Sequence, residues 1–265
     1  MISHLAHVSP EAAIGENVTI EPFAVIHEGV TIGNGTHVMS NAVIMKGTSI
    51  GKNCLIFPGA VIGAIPQDLK FVGENTTVEI GDNTTIRECV TISRGTKDKW
   101  KTVIGSNCLV MAYAHIAHDC ILGDHVILAN AVQLAGHVEV GDYAILGGMA
   151  GAPQFTKIGA HTYIAGHTVI RKDVPPFIKA GRTPLSYVGV NSVGLQRRGF
   201  SVNTINEILE VYRHIFYKGL NITQSLELIS KELPDTAETK SIVSFIINSK
   251  KGIIKEFSKG DVDED

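Results

Sequence analysis

Aromatic side chains make up only 6% of this 265-residue chain, with a single tryptophan, and charged residues only 18%. With 44% hydrophobic residues beside so few rings, its core has to be packed from small and β-branched side chains in repeated layers. A formal net charge of −3 excludes a protein held to nucleic acid or an anionic membrane by bulk charge. No run approaches the roughly 18 apolar residues of a membrane span. The opening Met1–His7 lacks the basic start and apolar stretch of a secretory signal. Cys54, Cys89, Cys108 and Cys120 show no CxxC spacing. They sit singly in strand-like runs and read as reduced core thiols of a cytoplasmic protein. The acidic tail Asp261–Asp265 is expected to be disordered.

What the chain has instead is a repeat. Counting in sixes from Ile2 reaches Val8, Ile14, Ile20, Ile26, Ile32, Val38, Ile44, Ile50, Ile56 and Ile62 without a break. The same phase runs through Ile80–Ile92, Ile104–Leu146 and Ile158–Ile170; of the 29 positions from 2 to 170, 25 are Ile, Val or Leu. A period of six matches neither a helix nor an alternating strand. It suits a β-solenoid in which each short strand supplies one inward aliphatic and then turns a corner. Glycines add a longer period, with Gly105, Gly123, Gly141 and Gly159 spaced 18 apart. Three hexads therefore make one triangular coil. At about 4.8 Å per layer, nine or so coils give a prism on the order of 40 Å long.

The misses are Asp68, Glu74, Asp98 and Ala152. The first three predict loops pushed out of the prism at about 64–78 and 95–102, and loops on a rigid scaffold commonly carry function. Ala152 belongs to a small-residue patch, Gly147–Gln154. The β-helix is expected over 1–176, since the hexads stop after Pro175-Pro176, followed by an irregular connector over 177–198. A helical domain over 199–265 comes last. Its first helix carries Ile205, Ile208, Leu209, Tyr212, Ile215 and Phe216 at helical spacing and is closed by Gly219. Further helices are expected at about 223–233 and 236–250, the latter with Asp235 and Glu238 as a capping box.

A filled solenoid has no cavity, so chemistry belongs on its outside, in grooves between packed prisms. The run Ala114-His115-Ile116-Ala117-His118-Asp119-Cys120 sets two histidines on either side of inward Ile116. His137, in Leu134-Ala135-Gly136-His137, follows about one coil later, so the three belong to adjacent layers and line one groove. His4, His7, His27, His37, His125 and His214 read as exposed or structural. From the residues alone, the cluster suits metal ligation or a general base.

These motifs resemble the acyl-carrier-protein-dependent UDP-N-acetylglucosamine O-acyltransferases, the hexapeptide-repeat family that begins lipid A synthesis in Gram-negative bacteria. Pro66–Phe71, Arg87–Thr96, Gly189-Val190-Asn191 and Leu195–Phe200 match further segments of that family in order, so the similarity covers nearly the whole chain. It implies a left-handed parallel β-helix, three-fold assembly, and neither metal nor cofactor. It also implies His118 as general base, the Gly136 N–H as oxyanion donor, and His115 and His137 as substrate-positioning residues. Gln67, Asp68 and Lys70 would contact the sugar and phosphate, Gln154 the substrate, and Asn191, Arg197 and Arg198 the nucleotide end. Gly166 stands where the family limits acyl length, so a long chain should fit. Two positions depart from the pattern: Pro153 where a histidine is common, and Val193 where a glutamate can occur. Whether Asp119 assists the base is left open.

Residues 171–198 hold Arg171, Lys172, Lys179, Arg182, Arg197 and Arg198 against Asp173, a net +5 suited to an acidic acyl carrier protein. The main alternative is a trimeric zinc enzyme of the γ-carbonic-anhydrase type using His115, His118 and His137. The Gln67–Phe71 loop and the helical tail have no purpose in such an enzyme. A non-catalytic nucleotide-sugar-binding solenoid is a second alternative. A third is the pathway's N-acyltransferase, which normally carries an extra N-terminal domain; here the hexads begin at Ile2.

Overall fold

Each hexad places two side chains inside the prism rather than one. The aliphatic position is joined by the residue two before it, which is small throughout: Val18, Ala24, Val30, Thr36, Ala42, Cys54, Ala60, and later Cys108, Ala114, Cys120 and Val126 are all buried. A triangular coil leaves room for one branched chain and one short chain per side. The short position is where the scarcity of rings becomes a requirement. Where it is threonine, the hydroxyl is absorbed by the coil: Thr84 Oγ1 donates to the Gly105 carbonyl and accepts from Cys108 N–H. Burial pushes the Cys108 thiol up to about 11 and the Cys120 thiol up to about 12. Cys89 departs from the expected core role, because it sits at a corner with φ +56° and is exposed.

The computed structural model describes residues 1–257, and the acidic tail lies outside the described residues. Three sheets of eight, eight and ten short strands form the faces of the prism, parallel throughout except for the last strand of the ten-stranded sheet. Each strand pairs with its equivalent one coil further on: His115 with Gln133 and then Gly151, and Ile116 with Leu134 and then Ala152. Ala152, a miss in the hexad count, is inward and 3% exposed. Two insertions stretch the register. Val61 pairs with Thr91, and Val78 with Thr102, each partner lying further along the chain than one regular coil would set it. The extra chain leaves the prism as residues 65–76 and 94–100.

The first coil is open, with Ile2 and Leu5 about half exposed. The other end is closed. Residues 177–198, expected to be an irregular connector, form two strands and a helix. Ile178–Gly181 extends the ten-stranded sheet in parallel, and Ser186–Val190 returns antiparallel to it. The hexad count ends there, but Ile178 and Ala180 still alternate inward, which the period of six could not register.

Among the described residues four helices follow: α1 (Ser192–Arg197), α2 (Val202–Phe216), α3 (Ile222–Glu232) and α4 (Ala237–Ile247). α2 buries Ile205, Ile208, Val211, Tyr212 and Ile215, and the Tyr212 hydroxyl donates to the Pro176 carbonyl, tying helix to prism. α2 is capped at Tyr217, so Gly219 lies beyond its end. The capping box belongs to α3, between Asn221 and Gln224, while Thr236 rather than Asp235 caps α4. Thr236 takes the cap because its hydroxyl reaches the Thr239 N–H. Among the described residues, no helix is long and apolar enough to cross a membrane.

Leu128 is fully buried in a middle coil. Leu128→Ala is expected to destabilise the fold by about 2–5 kcal/mol, whereas Leu55→Ala, at 38% exposed, should cost well under half of that. Denaturant unfolding of the two variants, read from the midpoint at constant slope, checks the pair.

Candidate active site

The coil-to-coil register stacks the corners of the prism into columns. Asp119, His137 and Phe155 form one column, each with φ near +60°. His125, Tyr143 and His161 form a second, and Tyr113, Ala131, Met149 and His167 a third. Beside the first column runs a groove of about 490 Å³ lined in part by Gln67, His115, His118, Gln133, Gly136 and Gln154. Thus the structure brings together His118, His115, Gly136, Gln154 and the loop residue Gln67. His137 stands behind them, edge-on to His118 at 5.1 Å and stacked on Phe155 at 4.5 Å.

His118 is 5% exposed, and its Nδ1 lies 2.9 Å from Asp119 Oδ2. Asp119 is fully buried. Its carboxylate accepts from the Thr96 hydroxyl at 2.6 Å and from the Thr96 N–H at 2.9 Å. Burial would raise the Asp119 pKa, but the bonds from Thr96 and His118 outweigh it and hold the carboxyl below its ordinary range. An ionised Asp119 accepts the Nδ1 proton of His118, leaving the Nε2 lone pair on the side of Gly136. That is the arrangement of an oriented general base.

Gly136 has to be glycine: a Cβ there would lie 2.5 Å from His118 Cε1 and 2.6 Å from Nε2. Among the described residues its N–H donates to no other group, which leaves it available to an oxyanion beside the base. His115 Nδ1 is 2.7 Å from the Thr91 hydroxyl, and burial, then the neighbouring His118, lowers its pKa. Burial also lowers the pKa of His137, with Asp119 acting in the opposite sense. Its Nδ1 is 3.2 Å from Asp98 Oδ2 without hydrogen-bond alignment, so that contact is electrostatic only.

The other predicted residues lie elsewhere in the chain. Asp68 Oδ1 accepts the Lys70 N–H and shapes the loop, while Lys70 is exposed; neither lines the groove. Gly166 lies beside the third column, where a Cβ would meet the Gly148 carbonyl at 2.9 Å. Asn191 caps α1 and donates from Nδ2 to the His161 carbonyl. Arg198 donates to the Tyr143 carbonyl and lies 5.2 Å over that ring. Asn191 and Arg198 therefore belong to the second column, and Arg197 stands beside them on α1, exposed. The zinc alternative fares badly. Among the described residues, the groups close enough to share an ion are His118, Asp119 and His137, without His115, and their donor atoms are already turned on one another.

Residues 173–254 match the family described as Udp N-acetylglucosamine O-acyltransferase, domain 2. Residues 29–64 and 101–136 match the bacterial transferase hexapeptide family of six repeats. The acyl-[acyl-carrier-protein]–UDP-N-acetylglucosamine O-acyltransferase of Thiobacillus denitrificans is 42% identical over 195 residues, 73% of this chain and 76% of that one. The chain belongs to the acyl-[acyl-carrier-protein]–UDP-N-acetylglucosamine O-acyltransferase family. The Burkholderia lata member is 43% identical over 199 residues, again 73% of this chain and 76% of that one. Among solved structures, LpxA from Bacteroides fragilis, a UDP-N-acetylglucosamine acyltransferase, superposes with a TM-score of 0.94 at 48% identity. It covers 96% of this chain and 100% of its own. The Francisella novicida UDP-N-acetylglucosamine acyltransferase gives 0.95 at 39%, covering 100% and 97%. Membership fixes the left-handed sense of the β-helix. Thr96 and Phe155 carry no sequence signal that marks them as partners of Asp119 and His137. Adjacency of Asp119 to His118 was the available signal, but only the corner geometry turns the carboxylate toward the ring.

His161 stacks on Tyr143 at 4.9 Å and near Phe177 at 5.5 Å, and burial together with Arg198 lowers its pKa to about 4. An unfolded histidine takes its proton near pH 6.5. The contribution of His161 to stability is therefore complete above about 6.5 and is lost as pH falls toward 4. His161→Phe should shrink the drop in melting temperature between about pH 7.5 and about pH 5, as measured by calorimetry.

Proposed function

We propose that this protein transfers a 3-hydroxyacyl group from acyl carrier protein to the 3-hydroxyl of UDP-N-acetylglucosamine, the first step of lipid A synthesis. The reading is carried by one observation: a histidine oriented by a buried carboxylate, facing a free backbone N–H in an open groove. His118 Nε2 takes the proton of the sugar hydroxyl as its oxygen attacks the thioester carbonyl. The Gly136 N–H holds the oxyanion that forms, a contact commonly worth about 3–4 kcal/mol. Collapse breaks the carbon–sulfur bond, and the carrier thiolate recovers the proton from His118. His115 positions the substrate with His137 behind it, Gln67 takes the sugar within the groove, and Asp68 and Lys70, on the same loop but outside that groove, serve the sugar and phosphate from the loop. Gln154 contacts the substrate from the groove, and Gly166 leaves space for a long chain. Pro153 and Val193 alter details of these contacts.

A homotrimer gives this reading its geometry. Asn191, Arg197 and Arg198 sit one column away from His118 in their own chain. Packing three prisms side by side would set them against the groove of the neighbouring chain, where arginine suits the nucleotide phosphates. Exposed Arg171, Lys172, Lys179 and Arg182 would attract the acidic carrier. The free cysteines suit a cytoplasmic location.

His118→Ala is expected to lower kcat by about 10²–10⁴. Gly136→Ala, whose methyl must displace the His118 ring, should lower it by about 10² with little change in KM. The decisive assay offers UDP-N-acetylglucosamine and acyl carrier proteins of graded chain length, with mass spectrometry of the product and sedimentation of the enzyme. Absence of O-acylated sugar nucleotide with every donor would overturn the proposal, and a monomer that is fully active would overturn the trimer.

A further inference from the structure

The loop at residues 94–100 leaves the prism between Ser93 and Lys101, interrupts the hexads, and turns back against Asp119, the residue after His118. Its backbone is closed by the Trp100 N–H donating to the Thr96 carbonyl at 2.8 Å. Thr96 itself is 8% exposed and does not line the groove, so it has no direct access to substrate there. Its N–H and hydroxyl both donate to Asp119, and the hydroxyl also accepts a longer bond of 3.3 Å from the Asp98 N–H. The N–H reaches Oδ1 at 2.9 Å and the hydroxyl reaches Oδ2 at 2.6 Å, with the Lys99 N–H adding a longer bond of 3.3 Å to Oδ1. Oδ2 is the same oxygen that faces His118 Nδ1 at 2.9 Å.

We propose that Thr96 is a positioning residue of the transfer reaction, whose hydroxyl and N–H together fix the plane of the Asp119 carboxylate and through it the orientation of His118. This rests on the reading of His118 as general base. One residue gripping both oxygens sets the rotation of a carboxylate in a way that separate donors do not. The short hydroxyl bond has the length of a charge-assisted contact. Losing it leaves Oδ2 with His118 as its remaining close donor, and a buried carboxylate short of donors holds a proton on the imidazole more strongly. The groups that face this pair are His137, with Nε2 3.7 Å from Oδ2, His115 across the groove, and Asp98 and Lys99 on the loop, the last paired with Glu139. None of them replaces the hydroxyl.

The test compares wild type, Thr96→Val, Thr96→Ala and Thr96→Ser in the acyl-transfer assay, each with its melting temperature. Wild-type turnover is established first, so its absence would count against the proposed reaction and not against Thr96. Thr96→Val keeps the shape and loses the hydroxyl. It is expected to lower kcat about 10-fold, the scale of one hydrogen bond to a charged group, and to leave KM for both substrates within about 2-fold. The acid limb of its kcat/KM profile should move to higher pH. Thr96→Ser should restore both kcat and the limb. If the valine variant does not fold, serine against alanine carries the same comparison. An unmoved acid limb, a change confined to KM, or serine behaving like the variants without a hydroxyl would each overturn the role.

Discussion

Vertical alignment of successive coils is the constraint on which the rest depends. Every coil must bring an aliphatic chain and a short chain to the interior at the same places as the coils above and below. Once that alignment exists, corner residues stack as well, and three columns of left-handed residues run along the prism. The histidines, the carboxylate and the glycine are chemically useful because the core forces them into adjacent layers. Ile116, Leu134 and Ala152 hold the register, while the residues just beyond them, His118, Gly136 and Gln154, face the groove. Shape and chemistry are here two faces of one repeat.

The site is rigid for the same reason. His118 needs Gly136 one coil above, since any Cβ would collide with its ring. Asp119 is satisfied on its backbone by Thr102 from the coil below, whose hydroxyl accepts the Asp119 N–H at 2.9 Å. A carboxylate fully withdrawn from water is costly unless each oxygen finds donors. Asp119 finds them in the loop that the repeat pushed out, so the insertion that breaks the pattern completes the dyad that the pattern positions.

Much of this was legible in the residues. The period of six, the two insertions and the groove histidines follow from spacing, because solenoid positions repeat in sequence as they do in space. The short inward register of Ala, Cys, Thr and Val was missed, since such residues look unremarkable unless counted two before each aliphatic. The strands at Ile178–Gly181 and Ser186–Val190 were missed because alternation over so short a run gives no hexad signal. Asp235 resembled a cap by composition, but Thr236 stands where its hydroxyl meets the helix. Asp119 and Thr96 escaped for a different reason. Their contact joins two distant points of the chain across a loop of irregular geometry, and no local period encodes it.

The separation of the predicted residues into two columns has a physical consequence. Within one chain, His118 and its groove belong to one corner, while Asn191 and Arg198 are engaged with backbone carbonyls at the next. Both arginine and asparagine are held in place by the prism itself, so they are preorganised before any ligand arrives. A site assembled from two such corners needs no moving loop to align its halves. It needs only flat faces that pack side by side, and parallel sheets of short strands provide them. The polar groups left over at the second column fit this picture: His161 Nδ1 and one Arg198 nitrogen are buried without a hydrogen-bond partner among the described residues. Buried donors and acceptors without partners are costly, so this corner carries hydrogen-bonding capacity that its own described residues leave unused.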